Sequence, residues 1–246
     1  MKALHLALLL LLTSTVHAAE ISVAVAANFA NTLAVLTPIF ERQSGHRLVV
    51  SSGSSGKLFA QISHGAPFDV FLAADSHYPQ SLIDRKLALA DSRFFYATGH
   101  LALYSIDPKR IELGADSLRQ NDVQHIAIAN PNTAPYGRAA KESIQGLGVW
   151  DQLGPKLVYA ESIAQAFQYA ASGNAELAFV ALSQVKDPLR RATGYYWQVP
   201  ARLYSPIKQE AVLLQRGGGN AAAKQFLKFL QGKEARAVIA QYGYTF

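Results

Sequence analysis

Four short segments carry the groups best suited to hold a ligand: Ala27 to Phe29, the serine–glycine run Ser51 to Gly56, Asn130 to Gly137, and Glu161 to Ile163. Each follows an apolar, strand-like run and opens a helical pattern. The start of a helix presents backbone N–H groups with no intrahelical partner, together with the positive end of the helix dipole. Several such starts aimed at one point make an anion site without any charged side chain. Taken singly, each segment has a plainer reading. Asn28 and Ser162 are good N-caps for any helix, the Ser51–Gly56 run suits a flexible turn, and Ala134 to Gly137 suits a turn into a helix. Recurrence favours binding, because donor-bearing openings occur four times, two in each half of the pattern.

Other chemistries fail on spacing. Gly56 and Lys57 are followed by Leu58, and no glycine stands at position 51, so the nucleotide P-loop pattern is broken. Gly53 to Gly56 is one residue too short for a nucleophile elbow. His46, His64, His77, His100 and His125 show no metal-ligand spacing. Asp69 and Asp75 flank an apolar strand, where a structural role at the strand ends is expected. The absence of cysteine excludes cysteine-held zinc, iron–sulfur clusters and thiol catalysis. A serine hydrolase would need a base beside Ser54 or Ser55, and none is evident, so the reading is a binding protein and not an enzyme.

The elements that must position these segments alternate along the chain. Ile21 to Ala27 reads as a buried strand, followed by a helix with apolar residues at Phe29, Leu33, Leu36 and Phe40, closed by Gly45. Strands follow at Leu48–Val50 and Phe68–Ala74, with a helix over Leu58–Ile62 between them. After a less patterned stretch at 85–99, strands are expected at Leu101–Tyr104, His125–Ala129, Lys156–Tyr159, Leu177–Val180 and Ala211–Gln215. Helices are expected over Arg138–Leu147, Ile163–Ala170, 220–231 and 233–241. This is the α/β alternation of parallel βαβ units. The restart after residue 100 predicts two lobes, 19–100 plus 207–246 and 101–206, with chain crossings near 98–103 and 200–210.

Composition bounds the answer without choosing it. With 246 residues, 50% hydrophobic and 16% charged, the chain can bury a large core, which excludes disorder and disulfide-stapled mini-folds. The net charge of +6 keeps an anionic partner in play. Residues 1–18 have a basic start, an apolar run from Ala7 to Leu12, and Val16 and Ala18 at the expected cleavage positions, which reads as a secretory signal peptide. Export and the scatter of Lys and Arg argue against nucleic acid.

The runs Val25–Phe29, Ser51–Leu58, Gln61–Val70, Ala73–Asp75, Ala129–Pro131, Ala134–Gly137 and Ala175–Val180 together resemble the periplasmic molybdate-binding proteins of bacterial ABC importers. The resemblance covers essentially the whole mature chain, in order. It implies the two-lobed periplasmic binding protein fold of type II. It also implies molybdate or tungstate held between the lobes by neutral donors, no cofactor, delivery to an inner-membrane permease, a periplasmic location and a monomer. Molybdenum would enter only as the oxyanion. Residue by residue, it places Asn28 and Ser55 as side-chain donors, Tyr136 and Ile163 as backbone donors, and Ala27 and Ser54 beside them. Two positions depart from the pattern. Ala181 stands where some members have a tyrosine hydroxyl, which the Tyr136 hydroxyl is expected to replace, and Ala27 stands where some carry threonine. Lys57 and Arg138 are expected to face outward and attract the anion at a distance. A sulfate or phosphate receptor is the alternative.

Overall fold

A computed structural model of the chain describes residues 18–189 and 194–246. The signal peptide read in residues 1–18 therefore lies, apart from Ala18, outside the described residues. In chain order the first elements are β1 (Glu20–Ala26), a 3-10 turn (Ala27–Phe29), α1 (Ala30–Ser44), β2 (Arg47–Gly53) and α2 (Ser55–Ser63). They continue through β3 (Val70–Ala73), α3 (His77–Asp84), β4 (Phe94–Gly99), β5 (Leu101–Ser105), β6 (Ile126–Ala129), α4 (Pro135–Gly146) and α5 (Trp150–Leu153). Then come β7 (Leu157–Ala160), α6 (Ile163–Ala171), β8 (Leu177–Ala181), α7 (Leu182–Val185), β9 (Tyr195–Gln198), β10 (Ile207–Leu213), α8 (Ala221–Leu230) and α9 (Lys233–Gln241).

The strands form two five-stranded sheets, ordered β2-β1-β3-β10-β4 and β7-β6-β8-β5-β9. In each, three parallel strands are followed by two antiparallel to their neighbours. The chain leaves the first sheet through His100, between β4 and β5, and returns along residues 199–206, before β10. The whole second sheet is thus inserted between β4 and β10. The architecture is α/β with two lobes, each a mixed sheet flanked by helices.

Each central strand is covered on both faces, which is why it reads as a continuous apolar run rather than an alternating one. Ile21, Val23, Ala24 and Val25 of β1 are fully buried, as are all four residues of β6 and all five of β8. Helix α1 packs Leu33, Leu36 and Phe40 onto the first sheet, and Phe40 meets Phe226 of α8 edge-on at 5.2 Å. Burying each such side chain contributes about 1.5–3 kcal/mol. The helix stops at Gly45, whose φ of 72° is the left-handed cap that a β-carbon would disfavour.

Register decides where the helices begin. Ala26 of β1 pairs with Gly53 of β2, and Ala129 of β6 pairs with Ala160 of β7. The two parallel strands of each pair therefore end level, and the segments after them leave from the same sheet edge.

Candidate functional site

The four openings meet in one small cavity between the lobes, of about 10 Å³. Lobe one contributes Ala26, Ala27 and Asn28 after β1, Gly53, Ser54 and Ser55 after β2, and Ala74 after β3; lobe two contributes Ala134, Pro135 and Tyr136 before and within α4, and Ile163 at the start of α6. No charged side chain lines it. It is far smaller than the ~300–1,000 Å³ of sites for drug-sized ligands. A larger open groove lies between Leu89–Phe94 and the Lys224, Leu227, Lys228 and Gln231 side of α8, but no strand-to-helix opening reaches it.

The serine pair shows how local structure sets donor direction. Ser55 is the first residue of α2, and its Oγ accepts a hydrogen bond from the Ala74 N–H at 2.9 Å. With that lone pair committed, the hydroxyl proton is free to donate elsewhere, and Ser55 lines the cavity. Ser54 is the N-cap of the same helix, with extended backbone, yet its side chain makes no capping bond. Its Oγ is buried without a partner and Ser54 also lines the cavity. Two hydroxyls thus stand beside the first-turn N–H groups of α2.

In lobe two the residues that line the cavity stand at helix starts. Pro135 occupies the first turn of α4, where its missing N–H is no loss, and Tyr136 follows it in the same turn. Ile163 opens α6, and its carbonyl accepts from Gln184 Nε2 at 3.2 Å, which fixes that turn against α7. The serine before it, Ser162, caps the helix by accepting from the Gln165 N–H at 3.3 Å.

Asn28 sits inside the 3-10 turn, 2% exposed, and does not cap α1. Its Nδ2 donates to Gln209 Oε1 at 2.7 Å and to Tyr244 OH at 3.1 Å, away from the other openings. Its carbonyl accepts from Ser183 Oγ at 2.9 Å and Tyr244 OH at 2.8 Å. Burial pushes the Tyr244 hydroxyl up to about 12 and the Tyr96 and Tyr136 hydroxyls well above their ordinary value. All three therefore remain neutral donors at physiological pH. The Tyr136 hydroxyl is buried against Gly99, where the chain crosses between lobes, and borders the Asn28 side chain. Ala181 is fully buried at the end of β8, its N–H bonded to Gln184 Oε1 at 2.9 Å, and it does not line the cavity.

The structure therefore gathers Ala27, Asn28, Ser54, Ser55, Tyr136 and Ile163 around one point. Sequence reasoning missed Ala74, whose N–H orients Ser55, and the Gln209–Tyr244 pair behind Asn28. The position of Ala74 just past an apolar strand was the available signal for the first; the second left none.

The lobes are closed onto each other. The Gly56 N–H donates to the Thr133 carbonyl across the cleft at 2.8 Å. Two ion pairs flank the cavity, Lys57 Nζ to Glu161 at 2.8 Å and Arg138 to Asp75 Oδ2 at 2.9 Å. Lys57 and Arg138 lie outside the cavity lining, as expected, but each is neutralised by a carboxylate of the opposite lobe instead of standing free. Burial raises the Asp75 pKa, a shift that the Tyr78 N–H and Arg138 partly oppose. Asp69 holds the fold: it accepts from the Ser22 N–H at 2.9 Å and pairs with Arg216 at 2.8 Å. Among the described residues no cluster of three potential metal ligands occurs.

Residues 21–245 match the model of the bacterial extracellular solute-binding protein family. The chain is 45% identical to the molybdate-binding protein ModA of Rhodobacter capsulatus, over 99% of this chain and 95% of that one. It is also 45% identical to ModA of Azotobacter vinelandii, over 95% and 93%. The solved structure of the Azotobacter vinelandii periplasmic molybdate-binding protein superposes with a TM-score of 0.89 at 41% identity, covering 92% of this chain and 99% of that one. On two level-ended α/β sheets closed over a small uncharged cavity, and on these matches, the chain belongs to the bacterial extracellular solute-binding protein family.

Proposed function

We propose that the chain is an exported receptor that captures molybdate, or tungstate, between its lobes and delivers it to an ABC importer in the inner membrane. The observation that carries this reading is the cavity itself: four helix starts, two from each lobe, with two serine hydroxyls and no charged side chain. A dianion there is stabilised by first-turn N–H groups and helix dipoles, and bonds to a charged acceptor are roughly twice as strong as neutral ones. Neutral donors hold the anion without the deep trap that a buried counter-charge would make. The closed form, joined by Gly56 to Thr133, is the state the permease would recognise, reached by population shift on binding. Ligand selection then rests on size, since rigid donors set for the larger oxyanion reach a smaller one poorly. Export by the leader in residues 1–18, action as a monomer, absence of catalysis, and lobe boundaries at 100/101 and 206/207 belong to the same reading. The names of the relatives support it.

Calorimetric titration of the mature chain with molybdate, tungstate, sulfate and phosphate tests it. Tight 1:1 binding of molybdate and tungstate, with sulfate and phosphate much weaker, is expected. Equal affinity for sulfate and molybdate would overturn the selectivity, and binding of none of the four would overturn the function.

A further inference from the structure

The short helix α7 stands where the lobes meet, and two neighbouring residues of it reach opposite walls of the cavity. Ser183 Oγ donates to the Asn28 carbonyl of lobe one at 2.9 Å. The next residue, Gln184, donates from Nε2 to the Ile163 carbonyl of lobe two at 3.2 Å. Asn28 and Ile163 both line the cavity, one from each lobe. Consecutive side chains thus hold two opposed turns by their carbonyl oxygens.

Both ends of this link are firmly fixed. Ser183 is 4% exposed and Gln184 7%, so the two bonds are shielded from water. Gln184 spends its other amide atom within its own segment, where Oε1 accepts from the Ala181 N–H at 2.9 Å. The Leu182 N–H donates to the His100 carbonyl at 2.8 Å, which ties α7 to the point where the chain passes between lobes. Just past the helix, Asp187 accepts from Asn31 Nδ2 and from the Tyr242 hydroxyl, both of lobe one and each at 3.0 Å. On the far side of the Asn28 carbonyl the Tyr244 hydroxyl donates at 2.8 Å, so both lone pairs of that oxygen are filled. The ion pairs Lys57–Glu161 and Arg138–Asp75 include exposed side chains, which water and salt loosen. The bonds made by α7 have no such weakness.

A set of donors can select an ion by size only if its walls are held apart to within about 0.5 Å, and that requires buried bonds behind the donors. Neither Ser183 nor Gln184 lines the cavity. They grip the turns that do.

We propose that α7 is the spacer that sets the width of the anion site. Ser183 fixes the Asn28 turn and Gln184 the Ile163 turn, so that the gap between them matches the larger oxyanions, molybdate and tungstate. Both are positioning residues. The inference rests on the oxyanion reading above and adds what makes that site selective.

The test is the ratio of molybdate to sulfate affinity, with molybdate measured by calorimetric titration and sulfate by its competition against molybdate. Ser183→Ala removes one end of the spacer and leaves the Asn28 carbonyl its bond from Tyr244. Molybdate affinity falls roughly 5-fold, the size of about one neutral hydrogen bond. Sulfate affinity holds or rises, because the gap can now narrow. Gln184→Met, of similar volume, lowers the ratio by the same factor. It also strips the Ala181 N–H of its acceptor, a loss that thermal melts record and the ratio does not. Since both ends must hold for the gap to be fixed, the double variant lowers the ratio no further than either single one. Equal fractional losses for the two anions, an unchanged ratio in either single variant, or additive falls in the double variant would overturn the proposal. A wild-type chain that binds no oxyanion sinks the functional reading instead, and one that binds molybdate and sulfate equally removes the selectivity that the spacer explains.

Discussion

Ser54 and Ser162 occupy matching places in the two lobes. Each is the extended residue before the helix that follows the outer parallel strand, α2 after β2 and α6 after β7. Ser162 caps its helix through the Gln165 N–H, whereas Ser54 caps nothing and keeps a buried, unpartnered hydroxyl at the cavity. One topology, used twice, supplies the same helix starts in both lobes; what differs is whether the side chain serves its own helix or the cleft. Lobe one brings two serine hydroxyls to the cavity, while lobe two brings the helix starts at Tyr136 and Ile163. The plain reading and the binding reading of such a serine are therefore separated by one hydrogen bond.

The largest effect expected from a single change comes where the lobes touch. A β-carbon at Gly56 would lie 2.6 Å from the Tyr78 hydroxyl and 2.8 Å from the Thr133 carbonyl, which belongs to the other lobe. Within lobe one the Tyr78 hydroxyl, the far end of a side chain, must move aside, while the Thr133 backbone of the other lobe can yield only by separation, so Gly56→Ala pushes the lobes apart. Overpacking of this kind costs about 1–3 kcal/mol, and the bond to Thr133 is lost as well. Affinity for molybdate should fall roughly 100-fold, with the unliganded melting temperature nearly unchanged. Small-angle scattering showing a closed, wild-type shape with ligand would contradict this.

Ser55→Ala comes next and should move two readouts together. It removes a donor to the anion and strips the Ala74 N–H of its acceptor, a buried loss of about 1–3 kcal/mol. Affinity and unliganded stability both drop, and calorimetry with thermal melts measures them. An unchanged affinity would remove Ser55 from the site.

The two N-cap serines make a sharper pair. Ser162→Ala should cost about 0.5–2 kcal/mol of stability, the usual loss of a cap, with little change in affinity. Ser54→Ala should do the reverse: weaker binding, with stability held or raised because an unpaired buried hydroxyl disappears. The same pattern in both variants would erase the distinction between the lobes.

Much of this was legible in the sequence, and the failures have physical causes. The strands at the centre of each sheet were visible because burial on both faces makes them apolar throughout. Helix starts were read late: α2 begins at Ser55 rather than Leu58, and α4 at Pro135 rather than Arg138. Small polar residues and Pro-Tyr-Gly carry no helical apolar period, although proline in a first turn is itself a start signal. The strands β4 and β9 and the helix α3 were missed. Their burial is interrupted by exposed positions such as Phe95, Tyr195 and Tyr196. The cluster behind Asn28 left no sequence trace, because Gln209 and Tyr244 lie 181 and 216 residues further along the chain. A polar side chain buried by such a long-range contact looks like any surface residue until the chain is folded.

The ion pairs across the cleft extend the contrast between lobes and carry the smallest effects. Lobe one supplies the buried carboxylate, Asp75, whose side chain is 13% exposed, while lobe two supplies the exposed one, Glu161, at 71%. Because burial raises the Asp75 pKa above 3.8, the native state binds a proton more tightly than the unfolded chain between those values. Its contribution to stability therefore falls as pH rises through that window and is flat above it. Asp75→Asn has no such proton, so thermal melts should show the variant gaining on wild type as pH rises from below 3.8. The Lys57–Glu161 pair sits in water, where such a contact is worth about 0–1 kcal/mol and is screened by salt. Lys57→Ala should shift molybdate affinity by less than roughly 5-fold, and by less still in 0.5 M salt, since about 1.4 kcal/mol corresponds to tenfold. A larger, salt-independent loss would mean that Lys57 reaches the anion, and the cavity could no longer be described as built from neutral donors alone.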